Sequence, residues 1–382
     1  MDFDPPPDDH PTRLEVRAWL VDHPDPSPSE LAEGGWVAPH WPEPWGRGAG
    51  PDAQLVIDEE LARAGVVRPD NPIALGWAGP TIVAGGTTAQ QQRWLPGILD
   101  GSEEWCQLFS EPEAGSDLAS LRTRAELDGD AYVVNGQKIW STWADRSDWG
   151  ILLARTDPTA PAHRGISYLV VDMRAAGIDV RPIVEMTGGN HFNETFLTDV
   201  RIPIDQRIGP ENGGWGLAKV TLGNERVSLS EGGVLWGMGP TSTEAMDHVR
   251  TSGVGDQGPS VRQRAARLHT EMLVIRLLGH RIATSMRSAA RQASGDPGAF
   301  ASVRKTLADE HGQHAMGLVK DLAGPAGMLG IQDETAEEAD VWHWGYLFSR
   351  ALTIGGGTSE VQRNIIAERV LGLPRDAADA PG

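Results

Sequence analysis

Cysteine is almost missing from this 382-residue chain, where Cys106 stands alone. No disulfide can close within the chain, and no zinc cluster can be built from thiolates. Positive charge is also short: 33 Lys and Arg face 53 Asp and Glu, a formal net charge of −20. A nucleic-acid surface needs a basic stripe that displaces counterions, and this balance excludes one. An anionic membrane is disfavoured for the same reason. Long apolar runs are lacking too, since the best stretch, "MLVIRLLGHRI", is broken by Arg276 and Arg281 and a spanning helix needs about 18 apolar residues. The opening "MDFDPPPDDHP" is acidic and proline-rich, the opposite of a secretory leader, so the expected location is the cytoplasm.

Two further signatures fail. "GPAGMLG" (324–330) spaces its glycines G-x-x-G-x-x-G with no strand before it, so the dinucleotide fingerprint fails on context, and no phosphate-binding Walker sequence occurs. "HGQH" puts His311 and His314 at i,i+3, but no third ligand lies nearby, and polar helix residues are the plainer reading; no metal is expected. The fourteen tryptophans are scattered singly and read as packing residues.

What is present divides by texture. "PDAQLVIDEELARAG" begins at Pro51 and stops at Gly65, with Glu59 and Arg63 as an i,i+4 pair. "GTTAQQQRWLPGILDG" (86–101) reads as a short helix ended near Pro96. After residue 102 come Asp128-Gly129 and Asn135-Gly136, dipeptides favoured in tight hairpin turns. The strand-like runs "WGILLAR", "GISYLVVDM", "GIDVRPIVEM" and "HFNETFLTDVRIP" follow. Beyond "GPENGGWG" helical texture returns, in segments near 217–250, 258–294, 298–323, 334–351 and 359–372. The expected class is α+β. Residues 1–101 form an N-terminal helical domain with 1–10 mobile, 102–208 a small β sandwich or barrel, and 209–373 a helical bundle; 374–382 form a mobile tail.

Two stretches are specific: "WCQLFSEPEAGSDLASLRTRAELDGDAYVVNGQKIWSTWADRSDWGILLARTD" (105–157) and "ALTIGGGTSEVQRNIIAERVLGLPR" (351–375). With "MTGGNHFNETFLTDVRIP" (186–203) between them, the chain from about residue 50 resembles the acyl-CoA dehydrogenase family of flavoenzymes. The resemblance implies a C-terminal four-helix bundle, with FAD between it and the β-domain. It places Gln107, Phe109 and Ser110 along the flavin ring, and Gly115 and Ser116 near flavin and the pantetheine arm of an acyl-CoA. Trp140, Ser141 and Thr142 would cover the other ring face, where an aromatic plane excludes water.

The glycines of "IGGGTSEVQ" are assigned a ligand by the same resemblance. Ser359 and Gln362 read as a Ser-x-x-Gln capping box. Thr358, Ser359 and Glu360 match positions beside FAD phosphates and ribose, where helix N-termini favour anions. Glu360, itself an anion, would bind ribose hydroxyls or serve the helix dipole. Gly356 and Gly357 match main-chain contacts to the thioester.

Many family members carry the catalytic glutamate where this chain has Gly356. A minority resembling the isovaleryl- and long-chain-type enzymes place the base on a bundle helix, and the matching residue here is Glu225 in "LGNERVSLSEGG", with Glu231 the lesser candidate. Arg226 matches a substrate-site position that meets CoA.

The implied reaction is α,β-dehydrogenation of an acyl-CoA to the trans-2-enoyl-CoA, in fatty acid or steroid side-chain β-oxidation, with electrons passing to an electron-transfer flavoprotein. The rivals are an oxygen-reactive relative, such as an acyl-CoA oxidase or flavin monooxygenase of this fold, and a non-catalytic partner subunit. Arg250 survives from an element that reaches a neighbouring subunit's FAD, but the accompanying phenylalanine does not, and Asp321 stands where a glutamine is common. The expected assembly is a homotetramer or homodimer, or, as in divergent actinobacterial-type members, a heterotetramer with a related subunit.

Overall fold

The computed structural model describes residues 6–229, 235–253, 258–289, 297–328 and 337–374. The expectations for residues 1–5, for Glu231, for residues 254–257 of the 251–260 connection, for the end of "GPAGMLG" and for 375–382 of the 374–382 tail lie outside them. By internal contacts the chain divides into two compact units. One comprises Asp2–Ile183 with Asn190–Asn224, the other Val184–Gly189 with Glu225–Gly382.

The first unit opens with helices, the short α2 (Pro28–Glu33) and α4 (Gly79–Gly85) among them. α1 (Pro11–Asp22) packs on α3 (Pro51–Arg63) through a buried carboxylate, Glu60, which accepts from Arg17 at 2.7 Å and from Arg13 and Arg63. Hydrogen bonds from Arg17, ahead of those from Arg13, outweigh desolvation and hold Glu60 down at about 2. The Glu59–Arg63 pair expected from spacing is therefore not made. Arg63 turns to Glu60, and Glu59 meets Arg13 at 2.8 Å, because the buried carboxylate draws every cation within reach.

α5 (Thr88–Asp100) starts in a full capping box between Thr87 and Gln90 and runs through Pro96 to Gly101, which is left-handed at φ 72°. It does not end at the proline. Trp94, Leu95, Ile98 and Leu99 are all buried, and burial of that face outweighs the hydrogen bond that Pro96 cannot donate.

Among the described residues the strands form one eight-stranded sheet, ordered β6 (Ile178–Pro182), β7 (Phe192–Pro203), β3 (Ala131–Thr142), β2 (Arg124–Asp128), β4 (Trp149–Arg155), β5 (Ile166–Asp172) and β8 (Arg207–Ile208), with β1 (Trp105–Leu108) parallel to β4. β2 (Arg124–Asp128) and β3 (Ala131–Thr142) make the expected hairpin, turning at Gly129, φ 65°. Asn135-Gly136, by contrast, is no turn. It lies inside β3 at an irregularity against β7 (Phe192–Pro203). A Cβ on Gly136 would stand 2.3 Å from the Thr123 hydroxyl, so close packing, not chain reversal, requires the glycine.

β5 (Ile166–Asp172) pairs with β4 and with β8 (Arg207–Ile208), while β6 (Ile178–Pro182) closes the other edge. Side chains of β3 and β7 (Tyr132, Val134, Val200, Ile202) share one buried cluster with Leu152 and Leu169 of β4 and β5, so the sheet folds over a common core. Trp94, Trp105 and Trp149 meet with centroids 5.9–6.4 Å apart, joining the helices to the sheet as packing residues.

α6 (Gly214–Leu229) spans the division between the units. In the second unit the segment read as one helix over 217–250 is two. α7 (Ser242–Thr251) follows a turn in which Trp236, Gly237 and Gly239 all have φ between 55° and 80° before Pro240. α8 (Pro259–Ala289), α9 (Pro297–Leu322), α10 (Glu337–Phe348) and α11 (Ser359–Ile365) complete the helical domain. Among the described residues no helix is long and apolar enough to cross a membrane.

Candidate active site

In the first unit the residues expected beside a flavin gather around the end of β1. Phe109 is buried edge-on against Tyr168, and Ser110 accepts from the Ile139 main chain at 3.0 Å. The next residue, Glu111, is buried and accepts from Arg122 N at 2.7 Å, Thr123 N at 2.8 Å and Lys138 Nζ at 2.9 Å. Lys138 is fully buried and also donates to the Phe109 carbonyl at 3.0 Å. Burial pushes the Lys138 pKa down to about 8 against the pull of Glu111. For Glu111, desolvation opposes ionisation, but the Lys138 charge and the bonds from Thr123 and Arg122 outweigh it, and its pKa lies below the ordinary range.

Where β3 leaves register between Lys138 and Ser141, Trp140 takes φ 62° and exposes 57% of its surface. A tryptophan in the left-handed region is an outlier, and a bulge is the device that re-aims a side chain. The indole meets Phe192 edge-on at 6.0 Å and otherwise offers a flat apolar face. Ser141, next along, is buried with its hydroxyl lacking a hydrogen-bond partner, although its carbonyl accepts from Asn193. Thr142 is half-buried, and Gly115 and Ser116 are exposed, with open space where a Gly115 Cβ would be. An exposed ring on a strained bulge beside an unsatisfied hydroxyl fits a planar, partly polar heterocycle.

In the second unit the structure brings Glu225 and the glycine turn together. Gly356 and Gly357 have φ 66° and 91°, which only glycine adopts freely. A Cβ on Gly356 would lie 2.6 Å from Leu229, 2.8 Å from Lys305 Cε and 3.6 Å from Glu225 Oε1. The carboxylate thus stands against the bare glycine, and Glu225 is only 8% exposed. Gly355 faces the Trp236 ring, 2.6 Å from its own would-be Cβ.

The capping box placed at Ser359 is not formed. Thr358 is the N-cap, accepting from Val361 N at 3.3 Å, and Ser359 is the first, buried, helical residue. Gln362 instead turns back and donates to the Gly356 and Gly357 carbonyls at 2.9 and 3.1 Å. Carbonyls thrown out of a helix by left-handed residues need donors, and one amide supplies two. Glu360 is exposed beside Arg363 at 3.6 Å, and its own main-chain N–H, then the Thr358 hydroxyl, hold its pKa below the usual range. Arg250 is exposed and bound to Asp247 at 2.7 Å, and Asp321 is bound to Arg264 at 2.7 Å. Arg226 is half-buried on α6.

Sequence reasoning missed both buried lysines. Lys305 and Asp309, one turn apart on α9, are buried with Nζ and Oδ2 2.6 Å apart, and Lys305 also donates to the Leu352 carbonyl at 3.2 Å. Desolvation raises Asp309 to about 6 despite that pairing. The i,i+4 spacing was visible, but it looks the same on a solvated face. His311 is buried between Glu271 and Ser242, each at 3.1 Å, and His314 also meets Glu271; no metal-binding group of side chains occurs among the described residues.

Comparison with known proteins agrees with this architecture. The N-terminal, middle and C-terminal domain models of acyl-CoA dehydrogenase match residues 13–102, 106–200 and 212–371. Acyl-CoA dehydrogenase FadE34 of Mycobacterium tuberculosis is 43% identical over 348 residues, covering 90% of this chain but 46% of the relative, so the chain spans about half that protein's length. Acyl-CoA dehydrogenase IpdE1 of the same organism is 40% identical over 370 residues, 97% of this chain and 91% of the relative. Among solved structures, the Tcur3481-Tcur3483 steroid ACAD aligns at TM-score 0.77 and 30% identity, covering 98% of this chain and 100% of that one. By fold and sequence the chain belongs to the acyl-CoA dehydrogenase family of flavoprotein oxidoreductases.

Proposed function

We propose that the chain dehydrogenates an acyl-CoA thioester to its trans-2-enoyl-CoA, with Glu225 as the base that takes the α-proton. The observation that carries this reading is the Glu225 carboxylate lying 3.6 Å from where a Gly356 side chain would begin. The usual position of the base carries no side chain; Leu229 and Lys305 pack against it, and the Glu225 carboxylate borders it. FAD, when bound, supplies the hydride acceptor for the β-hydrogen, and an electron-transfer flavoprotein takes the electrons onward.

Trp140, Ser141 and Thr142 are assigned to a face of the flavin ring, with Gln107, Phe109 and Ser110 along it. Thr358, Ser359 and Glu360 are assigned to FAD phosphates and ribose. Gly356 and Gly357 give main-chain N–H groups for the thioester oxygen, a contact that needs no side chain. Gly115, Ser116 and Arg226 are assigned to the CoA moiety.

The acyl group we infer is bulky and ring-bearing, since a steroid ACAD is among the similar structures. We infer also a heteromeric assembly. That structure is named for two polypeptides, and both Arg250 and Asp321, the positions tied to a neighbouring FAD, are engaged in ion pairs within this chain.

The test is anaerobic flavin bleaching by a panel of acyl-CoAs in the parent and in Glu225→Gln. The variant is expected to bleach about 10²- to 10⁴-fold more slowly. Bleaching at the parental rate would remove Glu225 from the role, and bleaching by short straight chains alone would remove the bulky acyl group.

A further inference from the structure

The Lys305 ammonium is fixed at two points, on Asp309 Oδ2 at 2.6 Å and on the Leu352 carbonyl at 3.2 Å, and neither charged side chain is open to solvent. Leu352 immediately precedes the segment that becomes the glycine turn. The lysine's Cε and the Glu225 carboxylate both lie within 4 Å of the point a Gly356 Cβ would occupy. A buried lysine side chain and a buried carboxylate thus border the same glycine. Removing two charges from water for the sake of packing alone is rarely favourable.

We propose that Lys305 is a positioning residue for the dehydrogenation: its ammonium, tethered by Asp309 and Leu352, favours the ionised form of Glu225 and pins the glycine turn beside it. This rests on reading Glu225 as the base.

Burial alone favours a protonated carboxyl, which cannot accept the α-proton, whereas an opposite charge within about 4–6 Å shifts proton affinity roughly ten- to a thousandfold toward the ionised form. Asp309 tempers the effect by sharing the lysine's charge, and Trp236 and the glycine turn bring none. Among the described residues, Arg226 follows Glu225 on α6, and Glu310 on α9 pairs with Arg363 of α11 at 3.2 Å. Other charged contacts of α9 are made farther along the helix. Glu271 of α8 meets His311, on the opposite face from Asp309, while Arg264 meets Asp321 and His343 of α10 meets Lys320.

The experiment compares FAD-loaded parent, Lys305→Met, Lys305→Arg and Asp309→Asn by two readouts. One is the pH dependence of anaerobic flavin reduction. The other is an infrared difference titration of the Glu225 carboxyl, identified by its loss in Glu225→Gln. Lys305→Met should move the acid limb and the carboxyl titration upward by about one pH unit or more, and Lys305→Arg should leave both in place. Asp309→Asn should move both downward, because the lysine charge is then less compensated.

A pair that only packs would change rate or stability and leave the limb where it was, which overturns the proposal. If Lys305→Met does not fold, Asp309→Asn decides, and an unmoved or raised limb overturns it. A dead Glu225→Gln with an unmoved limb sinks this inference alone; retained reduction in Glu225→Gln sinks the base reading and this inference together.

Discussion

Among the described residues each unit of the chain buries a lysine–carboxylate pair, and each lysine also holds a backbone carbonyl in or close to a candidate ligand-contacting segment. Lys138 binds Glu111 and the Phe109 carbonyl, whereas Lys305 binds Asp309 and the Leu352 carbonyl. The carboxylates nevertheless differ in sign. Glu111 is shifted toward ionisation and Asp309 away from it, to about 6. Both suffer desolvation as the largest influence. Glu111 adds two main-chain N–H donors to its lysine, donors that cannot move away and that favour only the charged form. Asp309 sits on a helix whose own amides are already spent on the helix. The loop after a strand can lend amides to a carboxylate, and the middle of a helix cannot.

The largest effect expected from this difference is in Glu111→Gln, which leaves Lys138 buried without its counter-charge. Breaking such a pair costs about 3–5 kcal/mol, read as lost stability in chemical denaturation at neutral pH. Because its folded pKa lies below the ordinary value, the Glu111 contribution is complete above the usual carboxylate range and is lost as the pH falls below it. The deficit of the variant should therefore narrow on acidification. A deficit that is constant with pH would mean that shape, not charge, sets the cost.

Asp309→Asn should behave in the opposite sense. With its folded pKa raised to about 6, the Asp309 contribution is complete below the ordinary carboxylate value and is lost as the pH rises through 6. The variant should thus gain on the parent between pH 4 and 7, by on the order of 3 kcal/mol. Denaturation curves at both pH values measure it; parallel pH slopes for the Glu111 and Asp309 variants would erase the contrast between the two pairs.

The sequence made some of this legible. The order of helices, strands and helices follows from periodicity and from turns such as Asp128-Gly129. The glycine turn and Glu225 were reached through long motifs, since a Glu-Arg dipeptide on a helix carries no such meaning alone. What escaped depends on burial and on left-handed backbone. Nothing in "KTLAD" says that Lys305 and Asp309 are enclosed, and nothing in "KIWST" says that Trp140 sits at φ 62°. Asn135-Gly136 has the composition of a turn, but its cause is the Thr123 side chain packed against it. Pro96 and the Ser359 box fail likewise, because a packed apolar face and the unmet carbonyls of Gly356 and Gly357 outrank local preference.

The smallest expected effect separates charge from ordinary hydrogen bonding in holding the glycine turn. At one end the turn hangs on the Lys305–Leu352 contact, and at the other on neutral groups, the Thr358 cap and the Gln362 amide. Thr358→Ala removes only a capping acceptor, which typically costs about 1 kcal/mol, and the 3.3 Å bond to Val361 N is long enough to keep the loss no larger. No titratable group changes partner except Glu360, whose shift owes more to its own main-chain N–H than to the Thr358 hydroxyl. The stability difference between parent and Thr358→Ala should consequently be flat from pH 5 to 8, and the pH profile of flavin reduction unmoved. A profile displaced as far as that of Lys305→Met would mean that the turn's position, rather than the lysine's charge, governs Glu225.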